Sequence, residues 1–364
     1  MNENYVTLGQ VCDKGSSNIA QKDLAEREGQ YPIYGAAGLI KNVDFAHQKQ
    51  PYIAVVKDGA GIGRVMKLPA YSSVIGTMQY IFPKENVDID YLFYALQHMN
   101  LGKYFSGSTI PHIYFRDYQK ERLKLPVMEV QQRQADTLSR IDALSAYGQR
   151  QIALMDEIVK SRFVEMFGEQ KANPKGLPVA RLSEVTDISL GLTHTPTYVS
   201  EGKPFLSVRD ISSGIIDFSN CHYITDREFN SLPNGAKPRE GDILFCRVGT
   251  IGKPVVIPKG TPEFGTFVSV GYLRKKDNMT NCYLKAWMEN DYFMQQVLDN
   301  VSGASQINLN TGWLKNFQIL LPDLEMQTRF EVFCNQVDKS KLAVKQSLEK
   351  LETLKKSLMQ QYFG

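Results

Sequence analysis

One long segment of the sequence occurs twice, and this repeat constrains the fold more than any other feature. Residues 125–168 align with residues 321–364 without a gap, at an offset of 196 residues (321 minus 125). Both copies open with Leu-Pro and close with Phe-Gly, and Asp142 and Asp338 occupy the same position in each. Self-similarity at a fixed period is the signature of repeated structural units. The chain is therefore predicted to be a tandem duplication of a globular domain followed by a long helical segment.

The repeat extends upstream of the helical segments, but the similarity there is weaker. Ser106–Thr109 corresponds to Ser302–Ser305, and Val56–Gly63 resembles Cys246–Gly252 at a slightly different offset. The globular parts thus share short motifs at corresponding positions, and their remaining residues differ. Two copies of this kind suit one task performed on two different targets.

The repeated segments have the pattern of two long helices that pair with each other. Each has a proline near its start, at Pro126 and Pro322, where the missing amide costs nothing. About 40 residues give a helix of roughly 60 Å, and a narrow apolar stripe on such a helix needs a partner helix. We expect the two copies to pair antiparallel. Gly148 costs about 1 kcal/mol inside a helix and weakens the prediction of continuity, and separate helices on globular cores are the alternative. The stripes comprise Leu138, Ile141, Leu144, Ile152, Met155, Val159 and Met166 in the first copy and Val337, Val344, Leu348, Leu351, Leu354, Leu358 and Tyr362 in the second.

The remaining segments have the pattern of α+β domains with a pseudo-twofold internal repeat. Short β-rich runs separated by Gly and Pro predict hairpins, and stretches such as Asp90–Met99 and Asn281–Leu298 predict helices. The predicted strands are Tyr52–Val56, Arg64–Leu68, Tyr80–Phe82, Asp242–Cys246, Val255–Ile257 and Val268–Leu273. The predicted division is a first globular domain at 1–124, a long helix at 125–168, a second globular domain at 169–320 and a second long helix at 321–364.

Composition excludes several classes of protein without indicating a function. The five cysteines are odd in number and form no Cys-x-x-Cys pair, so a disulfide framework or a zinc site is not expected. No signal peptide and no run of about 20 apolar residues is evident, which predicts a soluble cytoplasmic protein. The net charge of +3 is weaker than the usual basic signature of nucleic-acid-binding domains.

A glycine run at Asp58–Gly63 superficially resembles a nucleotide-binding loop. A phosphate-binding loop leads into a helix, whereas Arg64–Leu68 has the pattern of a strand. In the second copy Pro254 stands where a P-loop has Ser or Thr. The run is therefore predicted to be a hairpin turn whose flanking cations and amides suit phosphate contacts.

The sequence shows none of the catalytic motifs that act on DNA. The Asn/Asp-Pro-Pro-Tyr tetrad of amino-methyltransferases is absent, and Pro322–Glu325 lacks the lysine that would complete a nuclease cluster. The five histidines are scattered and do not pair at ligand spacing. We expect no enzymatic activity and no cofactor or metal in this chain.

Taken in order, these motifs resemble a known family, the specificity subunits of type I restriction-modification systems. The first half resembles one recognition half at Tyr31–Gly38, Lys57–Gly63, Gly107–His112 and Leu125-Pro126, and the second half does so at Pro204–Ile211, Gly241–Phe245, Gly249–Gly252 and Leu321-Pro322. Each motif alone is loose. Their order, repeated and followed each time by a long helix, is much more specific, and the resemblance covers essentially the whole chain.

The resemblance implies a DNA sequence-recognition subunit without catalysis of its own. Each globular domain would be a target-recognition domain that binds one half of an asymmetric bipartite site in double-stranded DNA, with the helices fixing the spacing. Two methyltransferase subunits would dock along the helices, bring S-adenosylmethionine, and methylate adenine N6. Restriction subunits that use ATP and Mg²⁺ are possible further partners.

Candidate DNA contacts follow from the cations near the predicted turns and motifs: Lys57, Arg64, His112, Arg116, Arg209, Arg247, Lys253 and Arg274. Two other functions stay open. One is a coiled-coil scaffold whose domains bind protein or peptide, and the other is a fragment of a fused restriction-methyltransferase enzyme.

Overall fold

The computed structural model describes residues 5–106, 111–301 and 307–364. The chain divides into two units: the first unit is Met1–Arg150 with Val344–Gly364, and the second unit is Gln151–Ala343. Across the described ranges, no helix is long and apolar enough to cross a membrane. Two of the sequence motifs, Gly107–Ile110 and Ser302–Ser305, lie outside the described residues. Gln306 also lies outside them.

Short strands and short helices precede the first long helix. The strands are β1 Tyr5–Thr7, β2 Cys12–Ser16, β3 Tyr31–Gly35, β4 Gly38–Val43, β5 Tyr52–Val56, β6 Val65–Leu68, β7 Ser73–Val74, β8 Met78–Pro83 and β9 Arg122–Lys124. The helices are α1 Leu8–Val11, α2 Ile89–His98, α3 Phe115–Tyr118 and α4 Met128–Phe167.

The second half of the chain repeats this series. Its strands are β10 Val179–Arg181, β11 Thr186–Leu190, β12 Lys203–Leu206, β13 His222–Ile224, β14 Ile243–Cys246, β15 Gly252–Val256, β16 Gly265–Thr266, β17 Val270–Lys275 and β18 Gln318–Leu320. Its helices are α5 Leu182–Val185, α6 Asp226–Ser231, α7 Asn281–Met288, α8 Asp291–Asp299, α9 Thr311–Asn316 and α10 Leu324–Phe363.

The two halves have the same sheet topology. In the first, the strand orders are β2-β8-β5-β6, β4-β3-β7 and β1-β9, and in the second they are β11-β17-β14-β15, β13-β12-β16 and β10-β18. The middle sheet of each set holds one parallel pair, β3 with β7 and β12 with β16. The duplication that the helical segments predicted therefore includes the globular parts, and the α+β class is confirmed.

Each globular part is built around a core that its four-stranded sheet and one helix share. In the first unit, Ile53 and Val55 of β5 and Ile81 of β8 pack against Tyr91 and Leu92 of α2. In the second unit, Ile243 and Phe245 of β14 pack with Tyr283 and Trp287 of α7. Because alternate residues of a strand point to opposite faces, the same strands also line a smaller core on the other side, formed by Tyr52 and Ala54 in the first unit.

The predicted long helices are present and uninterrupted. Helices α4 and α10 each span 40 residues. A helix of that length rises about 60 Å at 1.5 Å per residue. Helix α4 continues through Gly148, the position that weakened the prediction of continuity.

The first unit contains the start of α4 and the end of α10, packed antiparallel. Gly148 lies against Leu348 and Val344, whereas Asp142 accepts a hydrogen bond of 2.5 Å from Lys355. A Cβ atom at position 148 would stand 2.9 Å from Leu348 Cδ2. The glycine is explained by this close approach of the two helices.

The second unit contains the end of α4 and the start of α10, again antiparallel. Asp156 accepts a hydrogen bond of 2.6 Å from Lys341, and the Arg162 guanidinium lies over the Phe333 ring at 5.7 Å. Further along, Phe167 contacts Phe330 with ring centroids 5.4 Å apart. The predicted antiparallel pairing of the helices is thus present in each unit.

The stretch predicted to be helical over Asn281–Leu298 is helical, but it is divided into two helices, because α7 ends at Met288 and α8 begins at Asp291. Asn290 starts the second helix as its N-cap, and its side chain accepts a hydrogen bond of 3.0 Å from the Tyr292 amide. Asparagine is a favoured N-cap because its side chain satisfies an otherwise unpaired amide.

Candidate nucleic-acid interface

The glycine run of the first unit forms a hairpin turn, as predicted. Strands β5 and β6 pair antiparallel on either side of it. Gly59, Gly61 and Gly63 all have positive φ, and a Cβ at Gly63 would lie 2.3 Å from the backbone nitrogen of Gly102. Glycine is needed here because other residues rarely adopt this conformation. No helix follows the turn, so it lacks the helix N-terminus that a nucleotide-binding loop uses.

Two predicted contact residues of the first unit are held by one carboxylate at this turn. Lys57 donates a hydrogen bond of 2.5 Å to Asp58, and His112 Nδ1 also hydrogen-bonds to Asp58. The backbone amide of Ile113 donates to the Lys57 carbonyl at 2.9 Å. The turn and the segment around His112 therefore form one surface. The Asp58 charge offsets part of the positive charge that Lys57 brings.

An exposed aromatic and cationic series continues from this surface. The ring centroids of His112 and Tyr114 are 4.0 Å apart, and the Arg116 guanidinium lies 4.6 Å from the Tyr114 ring centroid. The Arg116 side chain is 75% exposed. Stacking of an arginine on an aromatic ring fixes its direction while the charge stays accessible. Arg116 can therefore contact a phosphate or a base edge without reorganisation of the fold.

Arg64, at the end of the turn, is exposed but partly engaged. Its Nη1 donates a hydrogen bond of 2.8 Å to the carbonyl of Ala36, and its guanidinium lies over Gly61. The remaining donors leave it able to contact an anion.

In the second unit, Arg209 belongs to a surface of similar chemistry built from different residues. Its Nη2 donates to the Asn220 carbonyl at 2.9 Å, its Nε lies 3.3 Å from Asp210, and its side chain is 59% exposed. Close by, Tyr198 and His222 stack with ring centroids 4.1 Å apart and an interplanar angle of 14°. Asn220, to which Arg209 donates, lies two residues before His222 in the sequence. Burial raises the pKa of Tyr198, the Asp210 charge raises it further and the Arg209 charge opposes this.

Arg247, by contrast, is part of the interior of the second unit. It is 8% exposed, and it donates to the carbonyls of Leu309 and Val268 at 2.7 Å each and to the Asn308 side chain at 3.2 Å. Desolvation lowers the pKa of its guanidinium. These contacts give Arg247 a structural role, since it holds the segment around Leu309 against β14. We leave it out of the proposed contact set.

Arg274 is also engaged within the fold. It makes a two-pronged ion pair with Asp242, with distances of 2.8 Å to Oδ1 and 2.7 Å to Oδ2. The hydrogen bonds that Arg274 donates to Asp242 raise the pKa of its guanidinium, and Asp242 itself is buried. A buried carboxylate that loses its partner is costly, so this pair serves stability first. Lys253, at a positive φ of 49°, is exposed at the second position of β15, next to the hairpin turn.

The sequence therefore indicated which cationic residues lie near the turns, but it did not indicate which groups surround each of them. Lys57, His112 and Arg116 belong to one surface of the first unit. Arg64 is paired through its backbone with Val56, but its guanidinium donates to Ala36 instead. The aromatic partners Tyr114, Tyr198 and His222 were missed. Tyr198 and His222 are 24 positions apart in the sequence, and no local pattern indicates that they stack.

No cluster of three or more His, Cys, Asp or Glu side chains that could hold a metal ion occurs among the residues that the structure describes.

Comparison with known proteins confirms the resemblance that the sequence predicted. Residues 2–154 match the family model of the type I restriction modification DNA specificity domain. A curated relative, the type I restriction enzyme MjaVIII specificity subunit of Methanocaldococcus jannaschii, is 23% identical over 332 residues, which cover 84% of this chain and 77% of the relative.

Two solved structures share the fold at low identity. The type I restriction-modification S subunit from M. genitalium matches with a TM-score of 0.62 at 15% identity, over 100% of this chain and 97% of that one. A chain from a structure of complex assembly and conformational transition of the type I R-M system matches with a TM-score of 0.52 at 16% identity, over 100% of this chain and 98% of that one. The fold of this chain is thus similar to that of these two solved structures.

Proposed function

We propose that this chain, which shares a domain match and a fold with type I specificity subunits, is the DNA sequence-recognition subunit of a type I restriction-modification complex. The observation that carries the proposal is that one arrangement of strands occurs twice in the chain with two different exposed surfaces. Both units repeat the same strand order. The cationic and aromatic groups at the surface differ between the units. In the first unit they come from one short segment, His112–Tyr114–Arg116, and in the second they come from three separate segments, at Tyr198, Arg209 and His222.

The two surfaces suit recognition of two different short DNA sequences. Phosphate contacts position a protein on DNA, whereas contacts to base edges provide specificity. Exposed arginines bind guanine edges or phosphates in DNA. Here Arg116 is held by the Tyr114 ring, and Arg64 and Arg209 are held by backbone carbonyl oxygens. The proposed contact set is Lys57, Arg64, His112, Arg116, Arg209 and Lys253. The target is then asymmetric and bipartite, because each unit binds its own half-site.

Because the net charge is only +3, we infer that partner subunits or local basic patches supply much of the phosphate neutralisation. We infer that two methyltransferase subunits bind along the long helices and that restriction subunits are further partners. Large apolar side chains on these helices stay exposed within their units, including Leu144 and Leu354 in the first unit and Leu154 and Leu342 in the second. Exposed apolar groups of this kind are typical of protein-binding surfaces.

The chemistry of the complex would then belong to the partners. S-adenosylmethionine would be bound by the methyltransferase subunits, and ATP and Mg²⁺ by the restriction subunits. This chain would act in the cytoplasm by selecting the site. The methylated adenine would leave the base stack to reach the partner's pocket.

The proposal is tested by selection of binding sites from a library of random-sequence DNA duplexes with the full chain and its methyltransferase partner. The expected motif has two short defined elements separated by a gap of constant length and free sequence. A coiled-coil scaffold would enrich no motif, and a protein that binds one continuous sequence would enrich an uninterrupted motif. Either outcome would contradict the proposal.

Variants in each unit sharpen this selection. Arg116→Ala is expected to alter or weaken one element of the motif only, and Arg209→Ala only the other. Arg140→Ala is the matched control, because this arginine is 77% exposed on α4 and pairs with Asp136. Titration of the chain alone with S-adenosylmethionine tests the enzyme alternative, since saturable tight binding would favour it.

A further inference from the structure

A cavity in the first unit lies between the end of α2, strand β9 and the end of α10. Its volume is about 190 Å³. Pockets for drug-sized ligands measure about 300–1,000 Å³, whereas an apolar cavity of roughly 150 Å³ holds one benzene molecule. The cavity therefore has room for a single ring with one small substituent, but not for a nucleotide. Its lining includes Ala95, His98, Lys103, Arg122, Leu123 and Phe363.

The two units have equivalent structures around this cavity. Tyr91 of α2 and Tyr283 of α7 correspond, because their hydroxyls donate to the carbonyls of Lys124 and Leu320, which stand 196 residues apart (320 minus 124). Each tyrosine ring also contacts the last residue of a long helix, which is α10 in the first unit and α4 in the second. The residues around the two tyrosines can therefore be compared position by position.

The second unit fills the equivalent space with aromatic rings. Four residues after the tyrosine, the first unit has Ala95 and the second has Trp287. Trp287 packs edge-on against Phe293 with ring centroids 5.2 Å apart, Phe293 packs against Phe317 at 5.7 Å, and all three rings are buried. The residue that corresponds to Phe317, 196 positions earlier, is Glu121. Ala95 and Glu121 both line the cavity, so it exists because the first unit lacks two of these rings.

The floor of the cavity is apolar and includes a flat surface. Ala95, Leu123 and Phe363 are buried, and the Phe363 ring lies beside the His98 ring with centroids 6.0 Å apart. Burial lowers the pKa of His98, and the Lys103 charge lowers it further. The imidazole is therefore neutral at pH 7. Because aromatic rings pack well against one another, this floor suits a ligand with an aromatic ring.

The rim of the cavity carries a net positive charge. Lys103 forms an ion pair with Glu121, which also accepts a hydrogen bond of 2.5 Å from the Tyr104 hydroxyl. Burial alone would raise the pKa of Glu121, but the hydrogen bonds from Lys103 and Tyr104 lower it overall, so this carboxylate stays ionised. Arg122 is exposed, and its guanidinium lies 5.1 Å from the Tyr5 ring centroid. Two cations and one carboxylate leave one positive charge, which an anionic ligand would neutralise.

We propose that this cavity is a binding site for a small aromatic carboxylate. The ring would lie on the apolar floor, where the second unit has the Trp287 side chain, and the carboxylate would pair with Lys103 or Arg122. Charge-assisted hydrogen bonds are about twice as strong as neutral ones, so the negative group would add affinity and fix the orientation of the ring. The ligand would connect α2, β9 and the end of α10, and it would stabilise the first unit because it binds the folded state only.

The test is a titration of 4-fluorobenzoate with the full chain, followed by ¹⁹F nuclear magnetic resonance. We expect a saturable change of the fluorine signal that benzoate reverses by competition and acetate does not. The alcohol 4-fluorobenzyl alcohol, which has the same ring without the charge, should bind about tenfold more weakly. Equal affinity for the alcohol would overturn the assignment of a carboxylate, and the absence of a saturable change would overturn the site.

Two variants locate the binding within the chain. Ala95→Trp copies the second unit, fills the cavity and should abolish binding. Lys103→Gln combined with Arg122→Gln keeps the cavity and should weaken binding by about tenfold. Lys120→Gln is the matched control, because Lys120 is an exposed cation two residues before β9 that does not line the cavity. This control should leave the affinity unchanged.

Binding that persists in a folded Ala95→Trp variant would exclude this cavity. Circular dichroism shows whether that variant is folded. If it is not, the variant with both charge substitutions decides, and the proposal fails if its affinity is unchanged or falls no more than that of Lys120→Gln. None of the lining residues belongs to the proposed set of DNA contacts, so failure here leaves the proposed function untouched.

Discussion

The side-chain oxygen of Gln327 accepts a hydrogen bond of 2.8 Å from the backbone amide of Thr280. Its amide nitrogen donates to the carbonyls of Asn278 and Pro322 at 3.1 and 2.8 Å. Gln327 is fully buried. Its polar atoms thus tie the start of α10 to the start of α7 and to the segment just before it.

The first unit repeats this relationship with Gln131. Its oxygen accepts from the Asp88 amide at 2.9 Å, and its nitrogen donates to the carbonyls of Asn86 and Pro126. The identity of Gln131 and Gln327 in the sequence repeat is explained by these matched bonds.

Removal of this side chain should destabilise the second unit. Gln327→Ala leaves buried backbone groups without partners, each of which costs about 1–3 kcal/mol, so we expect a loss of about 2–4 kcal/mol in the free energy of unfolding. Urea denaturation monitored by circular dichroism measures it. Gln336→Ala on the exposed face of α10 is the control, and it should change stability by less than about 0.5 kcal/mol. Equal effects of the two substitutions would contradict the structural role of Gln327.

The close approach of the helices at Gly148 predicts sensitivity to side-chain size. Gly148→Leu places a large group where a Cβ alone would stand 2.9 Å from Leu348 Cδ2. Overpacking of this kind costs about 1–3 kcal/mol, although leucine has the better helix propensity by nearly 1 kcal/mol. We expect a lower thermal unfolding temperature. Ala146→Leu, two residues earlier and exposed, should leave that temperature nearly unchanged, and a stabilised Gly148→Leu variant would disprove the close packing.

Two basic residues of the second unit should separate stability from DNA binding. Arg247→Ala deprives buried carbonyls of their donor and should cost about 2–4 kcal/mol in stability. Lys253→Ala removes an exposed cation and should leave stability within about 0.5 kcal/mol while weakening DNA affinity. Chemical denaturation and fluorescence anisotropy with a DNA duplex measure the two effects. The opposite pattern would place Arg247 at the interface and Lys253 outside it.

Arg116 should contribute to the salt dependence of DNA affinity. Each phosphate that a protein neutralises releases counterions, so loss of one contact reduces the slope of log affinity against log salt by about 1. We expect Arg116→Ala to weaken binding and to flatten this slope by about that amount. Binding titrations between low and moderate salt measure it, and Arg140→Ala provides the comparison. An unchanged slope with unchanged affinity would remove Arg116 from the contact set.

The long helices could be predicted from the sequence because their apolar pattern depends only on nearby residues and occurs in both copies. The apolar stripe repeats along each copy, and the two copies support each other. The strands near Tyr52–Val56 and Asp242–Cys246 were also found, since short buried runs between glycines are typical of hairpins. The break at Asn290 was missed because the apolar pattern continues through it, and only the cap geometry of its side chain reveals where α8 begins.

The environment of each cation could not be predicted in the same way. Arg247 and Lys253 lie six residues apart on one hairpin, yet one is interior and the other exposed. The difference depends on the segment around Leu309, which is 62 residues from Arg247 in sequence. A charged residue is usually exposed, so the expectation was reasonable, and contacts across such separations are invisible to any local pattern.

Gly148 and Val344 occupy equivalent positions in the two copies of the helix, and in the first unit they face each other. A residue without a side chain thus meets a branched one. Two copies of α4 paired in this register would bring glycine against glycine and leave a void, and two copies of α10 would crowd valine against valine. The asymmetry makes each helix select the other rather than its own kind, so homotypic association between separate molecules is disfavoured by shape.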